Sequence, residues 1–290
     1  MNYIMKTFIR HGLLFFLLVL ISAPSFAQNF DARSTFQNMV TAINNAKTLE
    51  YRFVQKERLR SGWNEATVEI KLNVSPLKTY ISCISPDEGV ELLMVDGKYN
   101  GNVYVKPAGF PYINVKLDPT GSMLLGVSRH HRMEEAGYEL FRDVISIYLN
   151  DPSINMDDVV TYKGIVNFDN KNCYHVELND PNYQILDYVV QGSENVLEIS
   201  RRLKTADYKI LELNPNMSDY FDVSPGETIK IPSSYSPKTI MYLDTETNLP
   251  LYLEMRDENG LYEQYEFLNL VVNPKFAVDE FDDTFHEYGF

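Results

Sequence analysis

The chain is short of several things at once. Among 290 residues there are two cysteines and one tryptophan. Two thiols allow at most one internal bridge and cannot furnish a cysteine-rich zinc site, so a disulfide scaffold and a zinc ribbon are both excluded. Glycine and proline, 14 of each, are too few for a low-complexity chain. Basic residues are in deficit, 26 Lys and Arg against 40 Asp and Glu. No basic block interrupts that excess, and such a surface repels nucleic acid and anionic membranes, which excludes nucleic acid as a partner. A Gly-Lys phosphate loop, a nucleophile-elbow pattern and a His-Glu-x-x-His run are all missing.

What is present is the material of a sizeable core. Hydrophobic residues make up 44% and charged residues 23%, and the length suits one or two domains. The 20 Tyr and 16 Phe lean toward β structure. At the N-terminus Lys6 and Arg10 precede an apolar run from Leu13 to Ile21, and Ser25-Phe26-Ala27 supplies small residues at signal-peptidase spacing. Residues 1–27 therefore read as a cleaved secretory signal, since the run is shorter than the ~20 residues a bilayer span needs. No Cys stands at the cleavage point, which argues against a lipidated product. Removing Lys6 and Arg10 from the 26 basic residues leaves 24 against 40 acidic ones, a formal charge of −16. The expected location is the periplasm or cell envelope. In that oxidising setting Cys83 and Cys173, both in strand-like text, either pair or stay as two buried thiols.

From Asp31 to Lys47, Phe36, Met39, Val40 and Ile43 recur at helical spacing. The period then changes: Val68, Ile70, Leu72 and Val74 alternate with polar residues, the mark of a half-buried strand. Asp96-Gly97 and Asn100-Gly101 punctuate Glu88 to Lys116, which reads as antiparallel hairpins. Met133, Ala136, Leu140, Val144 and Ile147 predict a second helix over 133–149. Strands return at 159–166 and 173–178 around the turn Asp169-Asn170-Lys171-Asn172, and again at 249–256 and 261–272. The main body is a large antiparallel sheet with few helices.

Between them the texture differs. Val196, Ile199, Ser200 and Leu203 show helical spacing, Ile210, Leu211 and Leu213 suggest a second short helix, and Ile229-Lys230-Ile231-Pro232 closes as a strand. The order is β-α-α-β, with loop text at Asn179 to Asn182 and Ser233 to Pro237 on its flanks. The run Tyr188 to Leu203, then Ile210-Leu211-Glu212-Leu213-Asn214-Pro215-Asn216, then Val223 to Pro232, resembles a LysM domain. That resemblance implies binding of N-acetylglucosamine glycans, peptidoglycan above all. It places the site on two loops: Gly192, Ser193, Glu194, Asn195 and Val196, and Asn214, Pro215, Asn216, Met217 and Ser218. The pattern departs from the family where Ser193-Glu194-Asn195 stands for Gly-Asp-Thr, although Asn or an acidic residue there can cap the following helix. Asn214 suits a left-handed helix end that Pro215 terminates.

The surrounding sheet carries a looser likeness. Asp244 to Leu251, Asp257-Glu258-Asn259-Gly260, Tyr265-Glu266-Phe267 and Val272-Asn273-Pro274 resemble the C-terminal part of exported proteins with the lipoprotein-carrier (LolA-like) fold. That implies an incomplete antiparallel barrel curled around helices, able to enclose an apolar cavity for lipid or lipoprotein acyl chains. A strand face such as Leu249, Leu251, Leu253 and Met255 is equally compatible with a packed core.

Catalytic readings are weak. His130 with Glu134, or His131 with Glu135, has metal-ligand spacing, but Arg129 to Glu135 reads more simply as a solvated helix entrance. His175 shares a strand face with Cys173 and Glu177, the ordinary polar side of a sheet. A strand neighbour two residues away is rarely aligned to activate the Cys173 thiol. The expectation is an α+β protein, an antiparallel half-barrel sheet with packed helices (28–184 and 237–290) interrupted by a small β-α-α-β LysM-like domain (187–235). It is expected to be non-enzymatic and free of cofactor and metal. The function expected first is peptidoglycan binding by the insert; the alternative is a lipid or lipoprotein carrier with a purely structural insert.

Overall fold

The computed structural model describes residues 30–110, 112–125 and 127–290; the expected signal segment lies outside them. Residues Asp31–Phe290 pack as one compact unit. Helix α1 (Ala32–Asn45) opens it, capped by Asp31, whose carboxylate accepts the Ser34 N–H at 2.6 Å. Its buried stripe is Ala32, Phe36, Met39 and Ile43, as the spacing predicts. Strands β1 (Thr48–Leu59), β2 (Gly62–Asn73), β3 (Lys78–Ser85), β4 (Glu91–Val95), β5 (Val103–Lys106) and β6 (Val115–Leu117) follow. Then come α2 (Glu139–Asn150), the short α3 (Met156–Val159), β7 (Val160–Phe168), β8 (Lys171–Asn179) and β9 (Ile185–Val189). Helices α4 (Val196–Leu203) and α5 (Asp207–Leu213) precede β10 (Thr228–Pro232), β11 (Lys238–Asp244), β12 (Pro250–Asp257) and β13 (Gly260–Val272).

Among the described residues eleven strands form one sheet in the order β6-β5-β4-β3-β2-β1-β13-β12-β11-β8-β7. Its edges, β6 and β7, do not pair with each other, so the sheet is open; with its few helices this is the expected α+β architecture. The predicted turn after β7 is a tight one, with Asp169 and Asn170 at φ 49° and 61°. Cys83 on β3 and Cys173 on β8 are both free thiols. Five strands separate them in the sheet order, which accounts for the lack of a bridge.

The single helix expected over 133–149 is broken. A one-turn 3-10 segment covers Met133–Glu135, and α2 begins only at Glu139. Between them Gly137 takes φ +97°, and a Cβ there would lie 2.8 Å from a Leu72 methyl and 2.9 Å from the Glu139 carboxylate. Only glycine passes through that space, so the chain turns where the apolar periodicity continues.

The β9-α4-α5-β10 segment is an excursion between two paired neighbours. Strands β8 and β11 bond directly, with Asn179 opposite Lys238, while β9 and β10 make a separate two-stranded antiparallel sheet. The exit and return are tied together: Asp180 N–H donates to Pro237 O and Ser233 N–H to Gln184 O, each at 2.9 Å. Val190, Val196, Leu197, Ile199, Ile210, Leu211, Tyr220, Ile229 and Ile231 form a core of its own, into which Leu125 and Leu59 project from outside the segment. On the opposite face of β3–β5 the tail packs back, Tyr288 stacking on Tyr80 at 3.6 Å between ring centroids and Gly289 N–H donating to Glu91.

Candidate functional site

Side chains alternate along a strand, so one face of the sheet is set by parity. On β1 that face carries Tyr51, Phe53, Gln55 and Glu57. The ladder extends them sideways into rows: Val68-Phe53-Phe267, then Ala66-Gln55-Tyr265-Leu253, then Asn64-Glu57-Glu263-Met255. Polarity thus rises along the face, from aromatic and aliphatic rows to one holding two carboxylates. Helix α2 and the 129–137 loop cover this face, and Gly137 N–H donates to the Tyr51 hydroxyl at 3.1 Å. They do not fill the space. A cavity of about 200 Å³ remains, lined by Phe53, Val68, Ile81, Leu92, Leu124, Met133, Leu140, Phe141, Val144, Met255 and Phe267 among others. One water needs only ~10–15 Å³ of such volume, so this void has room for a group well above a single water in size. The rim carries Ser85, Pro86 and Asp87, and beyond them the β5–β6 hairpin tip exposes Phe110 (89%).

The polar end is saturated with bonds. Glu57 and Glu263 are 1% and 0% exposed. Glu263 bonds His130 Nδ1 at 2.7 Å and accepts the Tyr235 hydroxyl at 2.7 Å; Glu57 accepts His130 N–H at 3.1 Å and Asn64 Nδ2 at 2.8 Å. His130 Nε2 lies 2.8 Å from Arg58 O. Both ring nitrogens therefore face acceptors, an arrangement that suits only the imidazolium. Burial alone pushes its pKa down, but the bond and charge of Glu263 outweigh that and the net direction is up. The same holds for His131, which burial lowers and Glu135 and Glu263 raise well above the usual imidazole range. Burial pushes Glu263 up, yet the two histidines carry it below the ordinary carboxylate value. Glu135 is brought down to about 2 against burial by His131 and Arg132.

His130 also joins the inserted unit to the sheet, since its ring lies 4.5 Å from that of Tyr208 on α5 and 4.5 Å from that of Tyr262 on β13. The reading of residues 129–135 as a solvated helix entrance is thereby overturned: His130 is 1% exposed and Arg132 5%. Among the described residues no group of His, Cys, Asp and Glu is arranged to hold a metal ion. Burial raises the thiols of Cys173 and of cavity-lining Cys83 to about 11, the reverse of what a nucleophilic thiolate requires.

The ten residues proposed for glycan contact divide. Val196 N–H donates to Tyr220 O at 2.9 Å, which brings the start of α4 against the segment that follows α5. Gly192, Ser193, Pro215, Asn216 and Ser218 are exposed there. Val196 and Met217 instead lie in the unit's core. Asn195 caps α4 in a reciprocal box with Glu198, both bonds 3.0 Å, as the sequence allows. Glu194 is taken up by Gln191 N–H at 2.8 Å and Arg202 at 2.8 Å. Asn214 is a staple: its Nδ2 donates to Ile210 O and Lys230 O, each at 2.7 Å, and its Oδ1 accepts Lys230 N–H at 2.9 Å. The left-handed helix end expected at Asn214 is not there (φ −122°); Lys204, closing α4 at φ 56°, has it instead.

Fold and site together define a class: an open antiparallel sheet whose covered face keeps an apolar hollow with a polar end. Residues 46–189, most of the cavity wall, match the model of a family described as protein of unknown function (DUF1571). Among solved structures the chain is similar to MucB, at 14% identity and a TM-score of 0.42, covering 87% of this chain and 62% of that one. It is also similar to the lipoprotein LppX of Mycobacterium tuberculosis, at 9% identity and a TM-score of 0.40, over 84% of this chain and 97% of LppX. For LprF of Mycobacterium bovis the figures are 10% identity and a TM-score of 0.38, with 86% and 96% covered. The chain thus spans less than two thirds of MucB. No curated protein matches the sequence.

Proposed function

We propose that this protein is a non-enzymatic cell-envelope carrier that holds an acyl chain between the β1–β4 and β12–β13 face and helix α2. The observation that supports the reading is the cavity of about 200 Å³, walled by aliphatic and aromatic side chains that a packed core would have brought together. The exposed Phe110, Tyr112 and Ile113 at the neighbouring hairpin tip suit transfer of an apolar chain from a lipid surface. Native mass spectrometry of the purified protein tests it, with N-phenyl-1-naphthylamine fluorescence as the second readout. The expected result is an added mass of acyl-chain size and saturable, single-site dye binding that dodecanoate displaces; protein that is empty and also blind to the dye would sink the carrier reading.

A second reading concerns the inserted unit alone. Its β-α-α-β order and the adjacency of its two loops favour a LysM-like grip on N-acetylglucosamine glycans, through the exposed Ser193, Asn216 and Ser218 rather than through Asn195 or Asn214. Pelleting of the whole protein with purified peptidoglycan tests this, with loss in the Ser193→Trp, Asn216→Trp double variant. Protein that stays in the supernatant leaves the unit a structural one.

A further inference from the structure

We propose that the cavity is built for an anionic amphiphile, with Arg129 receiving its head group. The inference rests on the carrier reading and adds the ligand's charge to it. Five charged side chains line the cavity: Asp87, Arg129, His131, Arg132 and Glu135. Arg132 pairs with Glu135, and His131 lies 3.4 Å from Glu135 and 3.7 Å from Glu263. Asp87 is exposed at the rim, where water solvates it. Arg129 differs from all of these. Among the described residues it takes part in no ion pair, and its Nε, like that of the Glu135-paired Arg132, is buried without a hydrogen-bond partner; its main-chain carbonyl is engaged by the Tyr220 hydroxyl at 3.4 Å.

A guanidinium cannot relieve the cost of burial by losing its proton, so a half-buried arginine left without an anion is a destabilising feature that a ligand can reverse. Arg129 lines the same cavity as Cys83 and Asp87, next to the apolar wall of Ile81 and Leu92. A chain lying along Phe53, Val68, Ile81 and Leu92 would therefore end within reach of a cation. The planar fork of donors matches two oxygens of a carboxylate or of a phosphate, the chemistry common to fatty acids and phospholipid head groups.

The experiment compares dodecanoate, dodecyl phosphate and dodecan-1-ol as displacers of N-phenyl-1-naphthylamine from the full chain and from R129Q. The expected result is that both anions bind roughly tenfold or more tightly than the alcohol, as a charge-assisted hydrogen bond allows, and that R129Q loses the preference, the two anions then binding no more tightly than dodecan-1-ol. Tighter binding of dodecyl phosphate than of dodecanoate would assign a phospholipid-type head group, and the reverse a free fatty acid; each supports the proposal. Equal affinity for all three in the native chain, or a preference that survives in R129Q, would overturn it while leaving the carrier reading intact. Failure of the dye to bind at all would overturn the carrier reading and the proposal with it. If R129Q does not fold, sodium chloride supplies the second measurement: affinity for the two anions should weaken with salt and that for dodecan-1-ol should not, and insensitivity of all three overturns the proposal.

Discussion

Glu57 on β1 and Glu263 on β13 stand directly opposite each other, and the Tyr265 hydroxyl lies between them, 2.9 Å from one carboxylate and 3.1 Å from the other. One hydroxyl proton cannot serve both acids. Besides Asn64 and Tyr235, the 129–135 loop supplies donors, with His130 giving its main-chain N–H to Glu57 and a ring N–H to Glu263. Two buried like charges on neighbouring strands are therefore held together by a cationic loop laid over them, the same loop that walls the cavity.

Unequal costs follow for the two acids. Glu263→Ala leaves the His130 charge buried without its partner and strips the Tyr235 hydroxyl of an acceptor, which should cost on the order of 3–5 kcal/mol. Glu57→Gln keeps an acceptor for His130 N–H and removes a like charge, so its cost should stay below about 1 kcal/mol. Urea unfolding curves check this, and comparable losses in the two variants would contradict the arrangement.

Stability should also depend on pH in a defined direction. His130 and His131 have raised pKa values in the folded state, so their contribution is complete below the ordinary 6.5 and is lost as pH rises through the folded values. Asp207, pushed up to about 7 by burial and then by Glu135, acts on the same limb: between its ordinary 3.8 and 7 the folded protein holds a proton that the unfolded chain has released. Glu135 and Glu263 work oppositely, contributing fully above 4.5 and losing that contribution as pH falls, toward about 2 for Glu135. The melting temperature should peak at mildly acidic pH and decline toward pH 9. Asp207→Asn, which still accepts the Tyr208 N–H, should raise it at pH 8 and not at pH 5. Calorimetry at both values decides.

Asp257 is one of the polar ties between the inserted unit and the sheet: its carboxylate takes Lys209 of α5 at 2.6 Å and also Arg58 of β1. Burial raises this carboxyl, but Arg58 and Lys209 hold it down at about 2. Asp257→Ala should cost on the order of 3 kcal/mol, because two largely buried cations then share Glu212 and Glu258. Limited proteolysis should show new cuts near 181–184 and 233–237, where the unit leaves and rejoins the sheet. An unchanged digestion pattern would mean that the unit's aromatic contacts hold it unaided.

Much of this was readable in the residues. Period-2 text gave β2, β7, β8, β12 and β13 but not β1 or β11, the Asp169-Asn170 turn fell where its dipeptide stands, and the β-α-α-β order recurs in β9-α4-α5-β10. The buried acids were not readable, because Glu57 sits in the polar run Gln55-Lys56-Glu57-Arg58 and Glu263 beside Gln264, where either face can pass for the wet one. A signal was nevertheless there: Glu57 shares parity with Tyr51 and Phe53, and Glu263 with Tyr265 and Phe267, so each acid continues an aromatic face. Asn214 misled for the opposite reason. An amide at a helix end resembles a ligand-binding group, and only the fold brings Lys230 to it. Asn214→Ala should accordingly cost roughly 1–3 kcal/mol by leaving main-chain groups unpaired, a loss measured on the apo protein.

The hollow itself can be tested by filling it. Ala66 lies in the row with Gln55, Tyr265 and Leu253, where the wall passes from apolar to polar, and it lines the cavity. In a close-packed core, Ala66→Leu would force side chains off their rotamers and cost about 1–3 kcal/mol. Facing open space, the added carbons instead gain contacts with the Phe53 and Val68 side chains that border the hollow, and the variant should be as stable as the native chain or more so. The same substitution shortens the room for a ligand, so affinity for N-phenyl-1-naphthylamine should fall at least several-fold. Stability and binding are thus predicted to move in opposite directions in one variant. A loss of stability together with undiminished dye binding would mean that the wall at Ala66 is already packed and that the dye sits elsewhere.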